Sequence, residues 1–351
     1  MKNRPFLNAF KNSRSIAVIG VKGIPPEFPG TSGVEFYVSP RLPFLAAAGA
    51  KVVCYVRNWA TPRHIKTHNE AVLVHLPSVS TLYFDAVSHS FLATVHACFS
   101  QVDTVWYQAA GPAMFSFLPR IFGKKVVVTL HTLEWKRKKW EGVGGATLLF
   151  AERVAVHSAH ELLVVSRELA RYCQSVYSRD CYIDTPLAHP PRRVPAKIIS
   201  DKYGLHKDRF VLYLGRFVPE KRIEWLIRAF QKTSRAGIRL VLAGGAHHMD
   251  KYAVSLRKLA GNDARICFVG WVFGKEKEEL LANCLLFVLP SSVEGNPVVL
   301  YELPDDRRAL VSEAVARLVT HRGRLSTFPE SGKSLFEKKL RELINDDRIK
   351  H

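Results

Sequence analysis

Short apolar runs rich in Val, Ile and Leu recur along this 351-residue chain and alternate with segments of helix length. Runs of this kind read as strands buried on both faces, and such strands form parallel sheets covered by helices. Strands are expected at 15–20, 51–56, 71–76, 102–107, 125–130 and 161–166 in the first half, and at 209–215, 238–244, 265–270 and 285–290 in the second. Between the halves lies T-P-L-A-H-P-P-R-R-V-P-A-K, whose prolines and basic pair predict an exposed connector. The boundary is placed near Pro190 to Ala196, giving an α/β protein of two doubly wound, Rossmann-like domains, 1–190 and 191–351. Domains of this type facing each other across a cleft bind ligands at the C-terminal ends of their strands.

Composition narrows the partners. Lys and Arg number 51 against 31 Asp and Glu, a formal net charge of +20. A field of that sign draws polyanions. No nucleic-acid-binding module is evident in the order of helix and strand signals, so an anionic membrane surface or a lipid phosphate is the favoured polyanion. The six cysteines (54, 98, 173, 181, 267 and 284) form no C-x-x-C pair and are expected to be reduced thiols. No run reaches the ~18 apolar residues of a membrane span. The N-terminal M-K-N-R-P-F-L-N-A-F-K has charge but no apolar core of a leader. A cytoplasmic protein, peripheral on the inner face of the cell membrane, is expected.

Chemistry concentrates at strand ends. The run L-L-F-V-L-P leads into S-S-V-E-G-N-P-V-V-L-Y-E, which sets Glu294 and Glu302 eight positions apart. On a helix that spacing is a little over two turns, placing both carboxylates on one face. Gly295, Asn296 and Pro297 then occupy the helix start, where bare amides attract phosphate. A carboxylate for sugar hydroxyls, amides for a diphosphate and a carboxylate for a ribose describe a nucleotide-sugar site. Earlier, Y-L-G-R-F-V-P-E-K brings Arg216 and Lys221 out of a strand towards a helix, where both can reach a diphosphate.

In the first half, V-K-G-I-P-P-E-F-P-G-T-S-G-V-E makes Gly30 and Gly33 the candidates for close approach of backbone to a ligand. Pro40 and Pro43 are expected to break the helix that follows. His131 ends the fifth strand, where it is either a structural residue or a sugar contact. Lys136, Arg137, Lys138 and Lys139 lie between Trp135 and Trp140, a pattern that suits either a solvated charge run or an anionic membrane interface. His64 and His68 lack further ligands nearby and are read as surface residues; no metal site is expected.

Seven segments in order carry a family resemblance: P-G-T-S-G-V-E, H-T-L-E-W-K-R-K-K-W, V-S-R-E-L, L-G-R-F-V-P-E-K, L-V-L-A-G-G, F-V-G-W-V and E-G-N-P-V-V-L-Y-E. From about Ser15 to near its C-terminus the chain resembles the retaining GT-B glycosyltransferases of family 4, closest in flavour to enzymes of bacterial exopolysaccharide, capsule or O-antigen assembly. The resemblance implies that Arg216 and Lys221 hold the donor diphosphate, Glu294 a hydroxyl of the donor sugar, and Glu302 the ribose. It also implies that Val272 packs near the base, that His131 steadies the transferring sugar, and that amides after Glu294 and at Gly33 touch phosphate or sugar. The donor would be a nucleotide-diphosphate sugar and the acceptor a lipid-linked saccharide. Transfer would proceed by front-face substitution, with no metal and no cofactor.

Three departures from the family pattern carry expectations of their own. Glu302 runs directly into L-P-D-D-R-R, about a dozen residues short of the family pattern, so a strand of the second sheet is expected to be missing. The connector has T-P-L-A where the family commonly has P-N-G, and the C-terminal helix that usually returns to the first domain is expected to be absent or incomplete. These features imply an alternative: a catalytically impaired relative that binds nucleotide sugar or regulates.

Overall fold

The computed structural model describes residues 4–28, 31, 33–81, 84–136, 142–187, 194–245, 251–318, 324–329 and 332–346. The chain divides into two compact units, Met1–Leu187 and Ala188–His351. Part of the proline-rich connector, 188–193, lies outside the described residues.

The first unit is built on strands β1 (Ser15–Ile19), β2 (Lys51–Arg57), β3 (Thr67–His68), β4 (Ala71–Leu76), β5 (Thr104–Gln108), β6 (Lys125–Leu130), β7 (Glu161–Val164) and β8 (Tyr182–Ile183). They form one sheet in the order β3-β4-β2-β1-β5-β6-β7-β8, parallel except where β3 meets β4. Central strands β1, β5 and β6 are buried almost throughout, as strands apolar on both faces must be. Trp106 fills the core against Phe6 and Phe10, and its indole N–H donates to Thr129 Oγ1 at 2.8 Å. As expected, Pro40 and Pro43 break the following helix: Gly33–Val38 passes through a 3-10 turn, Ser39–Arg41, into a separate helix, Leu42–Ala47. Arg41 is fully buried at that break, yet its charge is satisfied. Its guanidinium donates to Asp184 Oδ2 at 2.7 Å and to the carbonyls of Tyr37 and Thr185. A buried charge persists only with such partners.

The second unit contains β9 (Phe210–Leu214), β10 (Arg239–Ala243), β11 (Ile266–Gly270), β12 (Leu286–Leu289), β13 (Arg308–Ser312) and β14 (Arg324–Phe328). All pairings are parallel, and the order is β11-β10-β9-β12-β13-β14. Strand order therefore reverses between β9 and β12, leaving a crevice at their C-terminal ends. The helix Ile223–Gln231 buries Ile223, Leu226, Ile227 and Phe230. The helix Lys333–Asn345 buries Phe336, Leu340, Leu343 and Ile344, and Phe336 packs 4.7 Å from the ring of Phe328 on β14.

The expected gap in this sheet is corrected. R-A-L-V-S, only a few residues beyond Glu302, forms β13, which pairs with β12 from Leu286↔Arg308 to Leu289↔Val311 and with β14 on its other side. Ala309, Leu310 and Val311 are fully buried. The residues after Glu302 are fewer than in the family pattern, but they still contain an apolar run able to take the strand's place. Among the described residues no helix is long and apolar enough to cross a membrane.

If β13 is a core strand, Leu310→Ala should lower unfolding free energy by ~2–5 kcal/mol, the usual cost of a cavity at a buried leucine. Urea denaturation measures this, and an unchanged midpoint would show that β13 does not hold the sheet.

Candidate active site

The loops leaving β9, β10 and β11 are laced together by backbone hydrogen bonds. The amide of Gly215 donates to Ala243 O at 3.0 Å, that of Phe217 to Gly245 O at 2.9 Å, and that of Gly244 to Gly270 O at 2.6 Å. Gly244 has φ +125°, and a Cβ there would lie 1.9 Å from the carbonyl oxygen of Gly215. Only glycine permits that approach. This gives L-V-L-A-G-G a physical reason: the strand-end loops converge too closely for a side chain.

Two of the expected donor-site residues leave β9 on this scaffold. Arg216 is half-buried, and its carbonyl accepts from the hydroxyl of Tyr213 at 2.9 Å. Burial, and secondarily the nearby Glu294, push the Tyr213 phenol well above its ordinary pKa, so it remains a neutral donor. Lys221 ends the 3-10 turn Pro219–Lys221, after which Arg222 takes left-handed φ of 50°. The turn is tied to the loop after β12, because Glu220 O accepts from the amide (2.9 Å) and the hydroxyl (3.1 Å) of Ser292. That tie brings the Lys221 ammonium into a salt bridge with Glu294 Oε1. Their side chains are only 15% and 11% exposed, so the pair is largely withdrawn from water.

Glu294 and Glu302 do not share a helix, which corrects the sequence-based geometry. The helix after β12 spans only Val298–Glu302; Glu294, Gly295 and Asn296 lie in the loop before it, with Pro297 in an extended conformation. The cause is proline chemistry at both ends. A residue preceding proline is disfavoured in the α region, which excludes Asn296 before Pro297 and Leu303 before Pro304. So short a helix offers little dipole for an anion, and Gly295 and Asn296 lie in a loop rather than at a helix start. The two carboxylates engage different lysines: Glu294 meets Lys221, whereas Glu302 Oε1 lies 2.6 Å from the ammonium of Lys277.

Lys277 is the residue that sequence reasoning missed. It lies one turn into the helix Gly274–Asn283, and the Lys277 and Glu302 side chains are 13% and 18% exposed. Its only sequence signal is its place in the first turn of the helix after F-V-G-W-V. Val272 is 6% exposed and belongs to the apolar core of this unit. Beside it, Trp271 and Phe273 lie with ring planes 7° apart and centroids 6.4 Å apart.

The first unit has its own group at the matching reversal of strand order, between β1 and β5. Gly20, after β1, has φ +107°, and a Cβ there would meet Gln108 O at 2.5 Å. His131, one residue past β6, shares a hydrogen bond at 2.9 Å with the side-chain oxygen of buried Gln108 and packs edge-on against Tyr37 at 4.8 Å. Gly33 opens the helix that carries Tyr37. In that helix Glu35, 1% exposed, accepts from the amide of Lys22 at 2.7 Å and so holds the loop after β1. Trp135 and Lys136 lie in a 3-10 turn, with the Lys136 ammonium 5.4 Å from the Trp135 ring. Gly30, Arg137, Lys138, Lys139 and Trp140 lie outside the described residues.

Comparison with known proteins agrees with this architecture. The family model "Glycosyl transferases group 1" matches residues 196–303. An uncharacterized glycosyltransferase of Bacillus subtilis, YqgM, is 29% identical over 184 residues, covering 51% of this chain and 49% of that protein. The alpha-D-kanosaminyltransferase of Streptomyces kanamyceticus is 27% identical over 216 residues, 56% of this chain and 55% of the enzyme. The chain thus spans about half the length of the curated relatives it matches. Among solved structures, a sucrose-phosphate synthase from Thermosynechococcus elongatus superposes with TM-score 0.77 at 18% identity, covering 96% of this chain and 91% of that one. Anabaena HepE, solved with UDP-glucose, gives 0.72 at 16% identity, covering 95% and 91%. Residues 196–303 therefore match the group 1 glycosyl transferase family model, in a chain with the GT-B fold.

Proposed function

We propose that the protein transfers a sugar from a nucleotide-diphosphate sugar to a saccharide acceptor, with retention of anomeric configuration. The observation that carries this reading is the Lys221–Glu294 pair at the strand-order reversal of the second unit, with the charges of Arg216 and Glu294 both near Tyr213. Glu294 is paired with Lys221. A donor diphosphate would compete for that ammonium, and Glu294 would turn to accept from hydroxyls of the sugar. As the bond between the anomeric carbon and the phosphate oxygen breaks, negative charge grows on the diphosphate, and Arg216 and Lys221 stabilise it from fixed positions. The amides of Gly295 and Asn296 add donors to the same anion, and Pro297 fixes their loop. Front-face attack then lets a leaving-group oxygen take the acceptor proton, so positioning and charge do the chemistry without a metal or cofactor.

Glu302 is read as the ribose ligand, held by Lys277, with Val272 shaping the base side of the pocket. His131 and Gly33 serve the transferring sugar and acceptor on the first unit, together with Gly30. The matched sugar transferase of Streptomyces kanamyceticus and the UDP-glucose complex of HepE support a nucleotide-sugar donor. The acceptor is read as lipid-linked and the enzyme as a cytoplasmic, peripheral membrane protein of cell-surface polysaccharide synthesis. The net charge of +20 and the Trp135–Trp140 segment support that placement. The short passage from Glu302 to β13 favours a second reading, a relative that binds the donor without transferring it.

Incubation with candidate nucleotide sugars and a lipid extract separates the two readings, with release of nucleoside diphosphate as the measurement. Binding without release on every donor would overturn transfer in favour of the second reading. Arg216→Ala and Lys221→Ala should each raise the barrier by ~2–4 kcal/mol, roughly 30- to 1000-fold in kcat/KM. An unchanged rate would remove that residue from the diphosphate site. Lys277→Ala should weaken UDP binding about tenfold, near 1.4 kcal/mol, while leaving pyrophosphate binding unchanged. Equal losses for both ligands in calorimetry would place Lys277 on the diphosphate rather than behind the ribose.

A further inference from the structure

The helix Phe84–Phe99 in the first unit is oriented against the usual rule for a surface helix. Its buried face consists of His89, Ser90, Ala93, Thr94, Ala97 and Cys98, small or polar residues throughout. Its large apolar residues point outwards. Phe84, Phe91 and Phe99 are 62%, 45% and 77% exposed, and their spacing of seven and eight residues aligns them along one stripe. The adjoining helix Phe117–Ile121 continues the surface. Ile121 is 75% and Phe122 50% exposed, and the Phe122 ring lies 5.3 Å from that of Phe99. Phe117, also exposed, extends the patch by one turn. Contiguous exposed apolar surface of this extent marks an interaction site.

Charge identifies what covers it. Between Asp85 and Glu134 the sequence carries one carboxylate, Asp103, against three cations, Arg120, Lys124 and Lys125, of which Lys125 lies 3.9 Å from Glu161 and Arg120 donates to Ser158 O at 3.0 Å. Asp103 is occupied by the amides of Arg14 and Ser15 and by the hydroxyl of Thr104. Asp85, at the start of the helix, is occupied by Arg57, the Trp59 indole and Ser78. Lys124 is anchored beside Phe99 through the carbonyls of Ser100 and Val102, and Arg120 immediately precedes Ile121. A second copy of this chain, itself at +20, would be repelled. Apolar side chains on a helix flanked by cations match the boundary between anionic headgroups and acyl chains.

We propose that this face is a docking surface for an anionic lipid bilayer, with the helix Phe84–Phe99 lying in the plane of the interface. Phe99, Ile121 and Phe122 enter the acyl boundary, and Arg120 and Lys124 meet headgroup phosphates. The assignment rests on the reading of a membrane-bound acceptor and deepens it, adding a membrane contact apart from the Trp135–Trp140 segment.

Flotation of the full chain with vesicles tests it. Binding is expected to vesicles of phosphatidylcholine with about one-third phosphatidylglycerol, weakened by about 0.5 M salt, and to be much poorer on phosphatidylcholine alone. The combined Phe99→Ser, Ile121→Ser and Phe122→Ser variant should lose ~10-fold or more in partitioning. Arg120→Gln should lose ~5-fold, the equivalent of about 1 kcal/mol per cation. Absence of binding by the unaltered chain, or equal binding by the triple variant, overturns the proposal. So does a dimer in sedimentation equilibrium that the triple variant abolishes, since a second copy would then own the face. Should the triple variant fail to fold, Ile121→Trp read with brominated lipids replaces it, and no added quenching overturns the proposal. UDP titration of the same samples is independent, so loss of vesicle binding with UDP binding intact leaves the donor-site reading standing.

Discussion

The convergence of three strand-end loops on Gly244 governs the second unit. Gly215 and Phe217 after β9 are hydrogen-bonded to Ala243, the last residue of β10, and to Gly245, and Gly244 is bonded to Gly270, the last residue of β11. Parallel strands place all these loops at one end of the sheet, and the reversal of order between β9 and β12 opens a crevice there. The crevice has a use only if the loops hold their shape, and a glycine whose missing Cβ would lie 1.9 Å from a carbonyl fixes them. Arg216 lies within this laced stretch, whereas Lys221 and Glu294 meet because Glu220 O accepts from the amide and hydroxyl of Ser292.

Each carboxylate of the site is held by a lysine from a different element. Lys221 comes from the loop after β9 and Lys277 from the helix after β11. Largely desolvated pairs of this kind give little net stability, because withdrawing two charges from water offsets most of their attraction. Their effect is to hold cations and carboxylates ready at the strand ends, in positions where a diphosphate and sugar hydroxyls can replace protein partners. The first unit follows another course. Its corresponding group is Gln108, His131 and Tyr37, joined by the hydrogen bond between Gln108 and His131 and by the edge-on contact of His131 with Tyr37. Its most prominent outward feature is the aromatic stripe of Phe84–Phe99, which belongs to neither the core nor the strand-end loops.

The readable parts of this fold were those with continuous apolar runs. All ten expected strands form, with ends shifted by two residues or fewer. Four strands escaped notice: β3 and β8 are two residues long, β14 has a half-exposed edge pattern, and β13 is hidden behind the charged D-D-R-R. In the site, Arg216, Lys221 and Glu294 were legible as strand-end residues, and Lys221 and Glu294 form a salt bridge. The shared helix of Glu294 and Glu302 was misread because spacing was counted without the prolines at 297 and 304, which set both helix ends.

The sequence by itself determined the class of the fold, because strands that are apolar on both faces can be buried only in a sheet covered by helices. It also determined the break at Pro40 and Pro43 and the residue types at the ends of β6, β9 and β12. Only the tertiary structure decided that Lys277 reaches Glu302, that β13 takes the place next to β12, and that the Phe84–Phe99 helix turns its aromatics outwards. Those outcomes depend on which strands become neighbours and on which face of a helix meets the sheet. Such long-range pairings leave no local pattern in the chain, because the energy that selects them is shared among residues far apart in sequence.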